Sequence, residues 1–283
     1  MKRIFIVGVG RSGTSLLHAI LSAHNDIAAI PETGIIRRGV FDYETDFFND
    51  HRLKRLDNLP EISKETSRSE ILKIYLKYSS SCKENIIVDK DPRLVEYLEQ
   101  LNNSIEDIKI VNIIRDPRDV LSSKKKASWS KGRTLLSYLV ASHVQLEDAF
   151  NYHHGNIFHI YYEDLLLKPE EELKNLCIFL NIEFSDKMLD HTEASHLLVQ
   201  KDEMSWKKET LEPINKRNIG NWRNNLSEIE TLSSIYVYKS AVKKESRYTF
   251  KEHYSLSTRL IAKSFSALVT VIAKLYSLKR RFI

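Results

Sequence analysis

The segment Gly8–Ser15, with the sequence GVGRSGTS, constrains the fold of this chain more than any other stretch. It follows Arg3–Val7, an apolar and partly β-branched run long enough for one buried strand. Apolar residues then recur at helical spacing from Leu16 onwards. A glycine loop between a strand and a helix lets backbone N–H groups close around an anion, and the helix N-terminus adds its positive dipole end. The segment therefore predicts a phosphate-binding loop.

Three kinds of phosphate site compete for this loop, beside a glycine-rich turn that binds nothing. The spacing from Gly8 to Gly13 fits the G-x-x-x-x-G-K-[ST] loop of kinases and other NTP-binding proteins, except that Thr14 replaces the lysine. The three glycines also spell the G-x-G-x-x-G of dinucleotide sites, and Glu32 follows about 20 residues on. In the third interpretation the loop holds a phosphosulfate, and Arg11 supplies the charge that the missing lysine would have given.

The composition indicates a soluble globular protein with a sizeable core, since 42% of the 283 residues are hydrophobic and 29% are charged. Cys82 and Cys177 lie far apart, which favours a reducing compartment over a disulfide framework or a metal site. The first apolar run is too short for a signal peptide, so we expect a cytoplasmic protein. Residues 255–283 carry six basic residues and no acid, so the net charge of +5 belongs to this tail and does not indicate a nucleic-acid surface.

Short runs with strand character alternate with helical patterns along the chain. The predicted strands are Arg3–Val7, Ile27–Ile30, Ile86–Val88, Lys109–Ile114 and Ile157–Tyr161. This alternation predicts a three-layer α/β fold, in which a central parallel sheet has helices on both faces. We expect one domain over residues 1–254, with the aromatic and charged residues 39–60 covering its substrate side, and a separate C-terminal helix over residues 255–283.

Polar clusters follow four of the predicted strands at the point where each strand ends. They are Arg11–Ser15, Glu32, Asp89–Asp91 and Arg115–Asp119. The loops at the carboxyl ends of parallel strands converge on one edge of the sheet, where ligands bind. Plainer interpretations remain open, with Glu32 a solvated carboxylate, Lys90 part of a surface ion cluster and Asp116 a helix cap. The shared position of the four clusters predicts one site.

The glycine loop, taken together with Arg115 and Ser123, resembles motifs of the PAPS-dependent sulfotransferase family. GVGRSGTS resembles that family's 5′-phosphosulfate loop, and IIRDPRDVLSS resembles its 3′-phosphate motif. Weaker similarity extends to YYEDLLLKP (161–169) and NIGNWRNNLS (218–227). The resemblance implies a P-loop-like fold that transfers a sulfonate from PAPS (3′-phosphoadenosine 5′-phosphosulfate) to a hydroxyl group without a metal. The 3′,5′-diphosphate, PAP, is the product.

The resemblance implies a role for each matched residue of the donor site. Arg11 would face the sulfonate and the bridging oxygen. The N–H and hydroxyl groups that would bind the 5′-phosphate belong to Ser12, Gly13, Thr14 and Ser15. Arg115 and Ser123 would hold the 3′-phosphate.

The resemblance also implies the catalytic residues. Glu32, in Pro-Glu-Thr, is similar to the catalytic base of the protein-tyrosine branch of the family, and Lys90, in Lys-Asp-Pro, to its lysine near the leaving group. A histidine is the rival base: His51 lies in the aromatic cover, whereas His18 lies within the first helix.

Two departures from the protein-tyrosine branch bear on the acceptor. Gly34 stands where that branch has arginine, and Glu212-Pro213 stands where it has Lys-Pro. We therefore expect a carbohydrate or lipid-linked sugar as the acceptor. Lys216 or Arg217 would supply the cation of the late loop, which contacts the donor. The rival functions are a nucleotide or sugar kinase and a nucleotide-binding module without catalysis.

The C-terminal segment carries one polar stripe of a long helix whose remaining surface is apolar. The stripe consists of Arg259, Lys263, Ser266, Thr270, Lys274, Ser277 and Arg281. Lys263 and Lys274 interrupt the uncharged run of about 20 residues that a membrane span needs. The pattern predicts a basic amphipathic helix, which either attaches the protein to the anionic inner face of a membrane or packs on the body or a partner.

Overall fold

The computed structural model describes residues 1–127, 132–199, 203, 207–242, 247–249 and 253–281. Within these residues the centre is a parallel sheet of five strands in the order β2-β3-β1-β4-β5. The strands are β1 (Lys2–Gly8), β2 (Ile27–Ala29), β3 (Ile86–Lys90), β4 (Ile108–Ile114) and β5 (Ile157–Tyr161). The predicted α/β class is confirmed, but β3 continues through Asp89 and Lys90, which we expected to lie beyond its end.

Helices cover both faces of this sheet. They are α1 (Thr14–Ser22), α2 (Arg68–Ser80), α3 (Leu98–Ser104), α4 (Pro117–Lys126), α5 (Leu135–Asn151), α6 (Tyr162–Leu167), α7 (Pro169–Leu180), α8 (Thr192–Leu198), α9 (Glu228–Ala241) and α10 (Leu256–Arg281). Short 3₁₀ helices occupy Phe47–Asn49, His51–Arg55, Pro92–Tyr97, Asp186–Leu189, Lys208–Leu211 and Asn221–Asn224. Local sequence sets several of these starts: Asp116 caps α4 with Pro117 at its first position, as expected, and Ser227 forms a capping box at α9.

The alternation of side chains along β1 divides the core into two apolar layers. Ile4 and Ile6 point to the face covered by α1, α6 and α7, whereas Phe5 and Val7 point to the face covered by α2, α3 and α5. All four side chains are completely buried. Burial on both faces fixes β1, and with it the glycine loop that follows β1 at the carboxyl edge of the sheet.

A π-helical turn, Ile35–Phe41, leads into residues 39–60, which we expected to cover the substrate side. Two buried arginines in this turn hold it in place: Arg37 donates to Asp91 at 2.8 Å, and Arg38 donates to Glu44 at 2.6 Å. A guanidinium group satisfied by several carboxylates fixes orientation as well as charge. The segment is therefore a defined wall beside the end of β3.

The C-terminal helix α10 packs against α9 and α5, so packing on the body, which the sequence left open, does occur. Its contact face includes the small residues Ala262, Ser266, Val269 and Ala273, all of them buried, and Phe265 packs against the same apolar cluster as Val269. A hydrogen bond of 3.1 Å joins Thr270 to Ser240 of α9.

Candidate active site

A cleft opens at the carboxyl edge of the sheet, between the glycine loop, the start of α6 and the segment before α9. Its lining includes Arg11, Gly13, Thr14, Ser15, Arg115, Tyr162, Lys207, Thr210, Asn215 and Asn218. No carboxylate lines this cleft among the residues that the structure describes. Since both arginines and the lysine are cationic at neutral pH, the cleft attracts anions.

The glycine loop requires glycine at two points. Gly8 has a φ of +146°, and a Cβ there would lie 2.6 Å from the carbonyl oxygen of Ile113. Gly13 has a φ of +105°, and a Cβ there would lie 2.5 Å from Cδ2 of Tyr162. Helix α1 starts at the next residue, Thr14, and the first N–H groups of a helix lack partners within it. The loop therefore presents backbone donors to the cleft.

We expect Gly13→Ala to disrupt this loop, because the new methyl group meets both a ring and an unfavourable φ. The free energy of unfolding, measured with urea, should fall by about 1–3 kcal/mol, and the affinity for phosphate-bearing ligands should fall with it. Gly10→Ala is the matched control, since a Cβ at Gly10 meets nothing within 4 Å. Equal effects of the two substitutions would contradict the assigned loop geometry.

The two predicted phosphate motifs meet in this cleft. Nε of Arg11 donates to Oγ of Ser123 at 3.0 Å, and Nη1 of Arg115 donates to the carbonyl oxygen of Arg11 at 3.2 Å. Arg11 has a φ of 79°, a conformation that non-glycine residues rarely adopt. The backbone of the loop thus turns so that its one arginine faces α4.

The guanidinium of Arg115 contacts Arg11, Tyr162 and Asn218, and one of its N–H donors remains without a partner in the described part of the chain. Its guanidinium lies 4.2 Å from the ring centre of Tyr162, and Nη2 donates to the carbonyl of Asn218 at 2.7 Å. Its Nε is buried without a hydrogen-bond partner in the described part of the chain. A buried unpaired donor costs free energy unless a ligand satisfies it. This donor supports an anion site at Arg115.

Asp119 fixes the loop that carries Asn218. Its carboxylate accepts from the N–H of Gly220 at 2.7 Å and from the N–H of Trp222 at 2.9 Å. Burial raises the pKa of Asp119, and the N–H bonds and Arg115 only partly offset this. One carboxylate on α4 thereby places the 218–222 segment beside Arg115.

Asp119→Ala should release this segment and leave two N–H groups unpaired, each costing about 1–3 kcal/mol. We expect a lower free energy of unfolding in urea and a higher KM for the donor, because Asn218 no longer supports Arg115. Asp26→Ala, at an exposed aspartate, should change neither quantity. If the Asp119→Ala variant is less stable but its KM for the donor is unchanged, Asp119 stabilises the fold and does not position the donor site.

Glu32 lies next to the cleft in a network of charges. It pairs with Lys90 and, at 3.3 Å, with Nζ of Lys207. Nζ of Lys90 also donates to Oγ of Ser15 at 3.2 Å, which links this network to the glycine loop. Lys90 is only 2% exposed, so the interpretation of a surface ion cluster is wrong.

The electrostatics keep Glu32 ionised. Burial alone would raise the pKa of Glu32, but the two lysines outweigh burial and hold it well below its usual range. For Lys90, burial dominates and lowers the pKa, with Glu32 opposing the change. Behind this pair lies His18, whose pKa falls to about 3 through burial and the nearby lysines, so it stays neutral. His18 is thus packed within the body.

Several predicted site residues lie elsewhere. Ser12 is buried, and its side chain lines a small cavity behind the loop. Lys216 and Arg217 are exposed, and Arg217 pairs with Glu212 at 2.6 Å. The side chain of His51, the rival base, is 71% exposed and lies 3.8 Å from Asp50. Neither the late-loop cations nor His51 is among the residues that line the cleft.

The sequence missed Lys207, which occupies the place expected for Lys216 or Arg217. It contacts Glu32 and, at 3.0 Å, Glu203, and it lines the cleft. No motif distinguishes it from the neighbouring lysine in the sequence. Tyr162 and Asn218, by contrast, fall within the two weaker segments of similarity, where a signal did exist.

A second cleft of about 520 Å³ adjoins Glu32 and Gly10 on the side of α5 and α10. Its apolar wall includes Tyr138, Val140, Val144 and Tyr276. Its polar wall includes Arg37, Arg93, Lys124, Arg133 and Gln145. Burial and the nearby Arg133 lower the pKa of Lys124 to about 7. Glu32 therefore stands between an anion-attracting cleft and a roomier, amphipathic one.

Comparison with known proteins agrees with the motifs. The model of the sulfotransferase family matches residues 3–186. Protein-tyrosine sulfotransferase 1 of Danio rerio is 28% identical over 240 residues, which cover 78% of this chain and 66% of that protein. The chain spans between about half and two thirds of the length of most of its curated relatives, for example 47% of the Drosophila melanogaster protein-tyrosine sulfotransferase.

Solved structures share the fold. The sulfotransferase domain of the Synechococcus PCC 7002 olefin synthase has a TM-score of 0.63 at 17% identity, with 94% of each chain covered. A mouse sulfotransferase, solved in complex with PAP, has a TM-score of 0.52 at 14% identity, covering 94% of this chain and 89% of that one. The family model covers well over half of the chain and includes the glycine loop, Lys90 and the Arg115 motif. The chain belongs to the sulfotransferase family.

Proposed function

We propose that this protein transfers a sulfonate from PAPS to a hydroxyl group of an acceptor. The observation that carries the proposal is the contact between the two phosphate motifs. Ser123 accepts from Arg11, and Arg115 donates to the backbone of Arg11, although the arginines lie far apart in the sequence. A donor with phosphate on both the 3′ and the 5′ oxygen needs two anion sites at a fixed separation. The mouse neighbour in complex with PAP supports the same choice of donor.

The residues present fit such a donor. Arg11, Arg115 and Lys207 supply positive charge to a cleft without a described carboxylate in its lining. The N-terminus of α1 supplies backbone N–H groups and the positive end of its dipole for the 5′-phosphate. The unpaired Nε of Arg115 supplies a further donor for the 3′-phosphate. When bound, PAPS supplies an activated sulfonate whose S–O bond to the 5′-phosphate breaks as the acceptor oxygen binds the sulfur.

Glu32 is the proposed base, because it lies between the two clefts and is ionised at neutral pH. It accepts the proton of the acceptor hydroxyl. Lys90 and Lys207 weaken its basicity while they contact it. An anionic ligand in the donor cleft competes for Lys207, so donor binding raises the basicity of Glu32. Arg11 lies within the glycine loop and Lys90 lies beside it, where they stabilise negative charge on the leaving phosphate.

For the acceptor we propose a carbohydrate or a lipid-linked sugar. The second cleft supports this choice, because it combines an apolar wall, which includes Tyr138 and Tyr276, with hydrogen-bonding groups such as Gln145. The name of the Danio rerio relative supports a second candidate, the phenol of a tyrosine in a protein. Gly34, where the protein-tyrosine branch has arginine, counts against the second candidate.

Transfer of ³⁵S from labelled PAPS tests both the proposed reaction and the proposed class of acceptor. The protein should label a hydroxyl acceptor, and we expect the label in glycolipid rather than in a tyrosine peptide offered in parallel. Label in the peptide alone would replace the acceptor and keep the reaction. Tight PAPS binding without transfer to any acceptor would favour a module without catalysis, and phosphate transfer from ATP would favour a kinase.

A further inference from the structure

The C-terminal helix α10 turns its large apolar residues toward solvent. Small residues and Phe265 form its contact with the body, and Ser266 and Thr270 of the polar stripe lie on that inner side. The outer side carries a row of exposed apolar residues, here called the apolar stripe: Leu260, Leu268, Val271, Leu275 and Leu278. Val271 is 56% exposed and Leu275 is 61% exposed. Contiguous apolar surface of this kind marks an interaction site.

The charges beside the apolar stripe distinguish between possible occupants. Lys263, Lys274 and Lys279 are exposed, and none of them forms an ion pair within the described part of the chain. The helix contains no acidic residue. A second copy of α10, packed parallel or antiparallel on the first, would bring only further positive charge. The helix has no carboxylate to offset the repulsion between lysines. An anionic lipid surface, in contrast, complements these charges and receives the apolar side chains.

We propose that the apolar stripe of α10 docks this protein flat on an anionic lipid membrane. Leu256–Arg280 is long and apolar enough to cross a membrane by length and composition, within the residues that the structure describes. However, α10 is packed on α9 and α5, and near its C-terminal end Arg280 pairs with Asp148 and Glu96. Crossing a bilayer would require the loss of all these contacts, whereas docking in the interface keeps them.

Docking also brings α10, which forms part of the wall of the second cleft, onto the membrane. Tyr276 belongs to α10 and lines the second cleft beside Glu32. A lipid-linked acceptor would therefore reach Glu32 from the side of the membrane. This consequence rests on the proposed function, whereas membrane docking itself does not.

Flotation of the full-length protein with vesicles of phosphatidylcholine, with and without phosphatidylglycerol, tests the docking. We expect flotation only with the anionic vesicles, and at least about a tenfold weaker partition for Val271→Gln/Leu275→Gln. The matched control is Ile178→Gln, at an apolar residue that is 77% exposed on α7, and it should float like the unchanged protein. Near-equal flotation of the stripe variant and the control would overturn the proposal.

Charge and topology are tested with the same vesicles. Lys263→Gln/Lys274→Gln should weaken flotation more than Lys73→Gln/Lys77→Gln, at two exposed lysines of α2. Bound protein should be released by alkaline carbonate, and retention after carbonate would indicate a spanning helix and refute flat docking.

Sedimentation without lipid should give one mass for the unchanged protein and the stripe variant. A dimer that the stripe substitutions dissociate would assign the stripe to a second copy. Docking is measured without PAPS, so it stands or fails separately from the sulfotransferase reaction.

Discussion

Replacement of Glu32 by glutamine is expected to reduce kcat for sulfonate transfer by about 10²–10⁴-fold, the usual range for the loss of a general base. The amide has nearly the shape of the carboxylate but does not accept the proton of the acceptor. The affinity for PAP should be unchanged or higher, because a negative charge beside Lys207 is removed. Steady-state kinetics with labelled PAPS and calorimetric titration with PAP measure the two effects.

The control for this prediction is His51→Asn. His51 is exposed and does not line either cleft, so we expect near-normal kcat. Because Glu32→Gln leaves the buried Lys90 with less compensation, its folding must be checked by thermal unfolding. A folded Glu32→Gln variant with near-full activity, or an inactive His51→Asn variant, would show that Glu32 is not the base.

Replacement of Arg115 by methionine should weaken PAP binding by about 10- to 100-fold, since a hydrogen bond to a charged group contributes about 1.5–3 kcal/mol. The loss should be specific for the 3′-phosphate. Binding of 5′-AMP, which lacks that phosphate, should change much less. Calorimetric titration of both nucleotides against both proteins gives the difference directly.

The matched control is Arg217→Met, because the sequence resemblance suggested a donor contact for this residue as well. Arg217 is exposed and pairs with Glu212, so its loss should leave PAP affinity within about twofold, as for a surface ion pair. If both substitutions weaken PAP and AMP alike, Arg115 does not recognise the 3′-phosphate.

Much of the fold and part of the site follow from local sequence patterns. Strand runs alternating with helices gave the parallel sheet, and the polar residues after each strand met at one edge because parallel strands end there. This rule brought Arg11 and Arg115 together before any distance was known, whereas Ser123 was assigned to the site only by the family resemblance. The glycine loop itself was likewise predictable from its pattern, but the ring of Tyr162, which a Cβ at Gly13 would meet, was not.

The remaining features depend on packing between distant segments. Lys207 carries no local signal, because only the folded chain brings it 3.3 Å from Glu32. The burial of Lys90 was missed because β3 runs two residues beyond its apolar core. Which face of α10 packs against the body could not be deduced from its amphipathic pattern. The small residues pack inward, as Ala273 does, and the large ones such as Leu275 remain outside.

The central claim is that one cleft binds the two phosphates of a single doubly phosphorylated adenosine. Competitive titration of the unchanged protein with PAP, 5′-AMP and ATP tests it most directly. We expect PAP to bind at least about tenfold more tightly than either 5′-AMP or ATP, because only PAP satisfies both the glycine loop and Arg115. Equal binding of PAP and 5′-AMP, or tighter binding of ATP, would contradict this account.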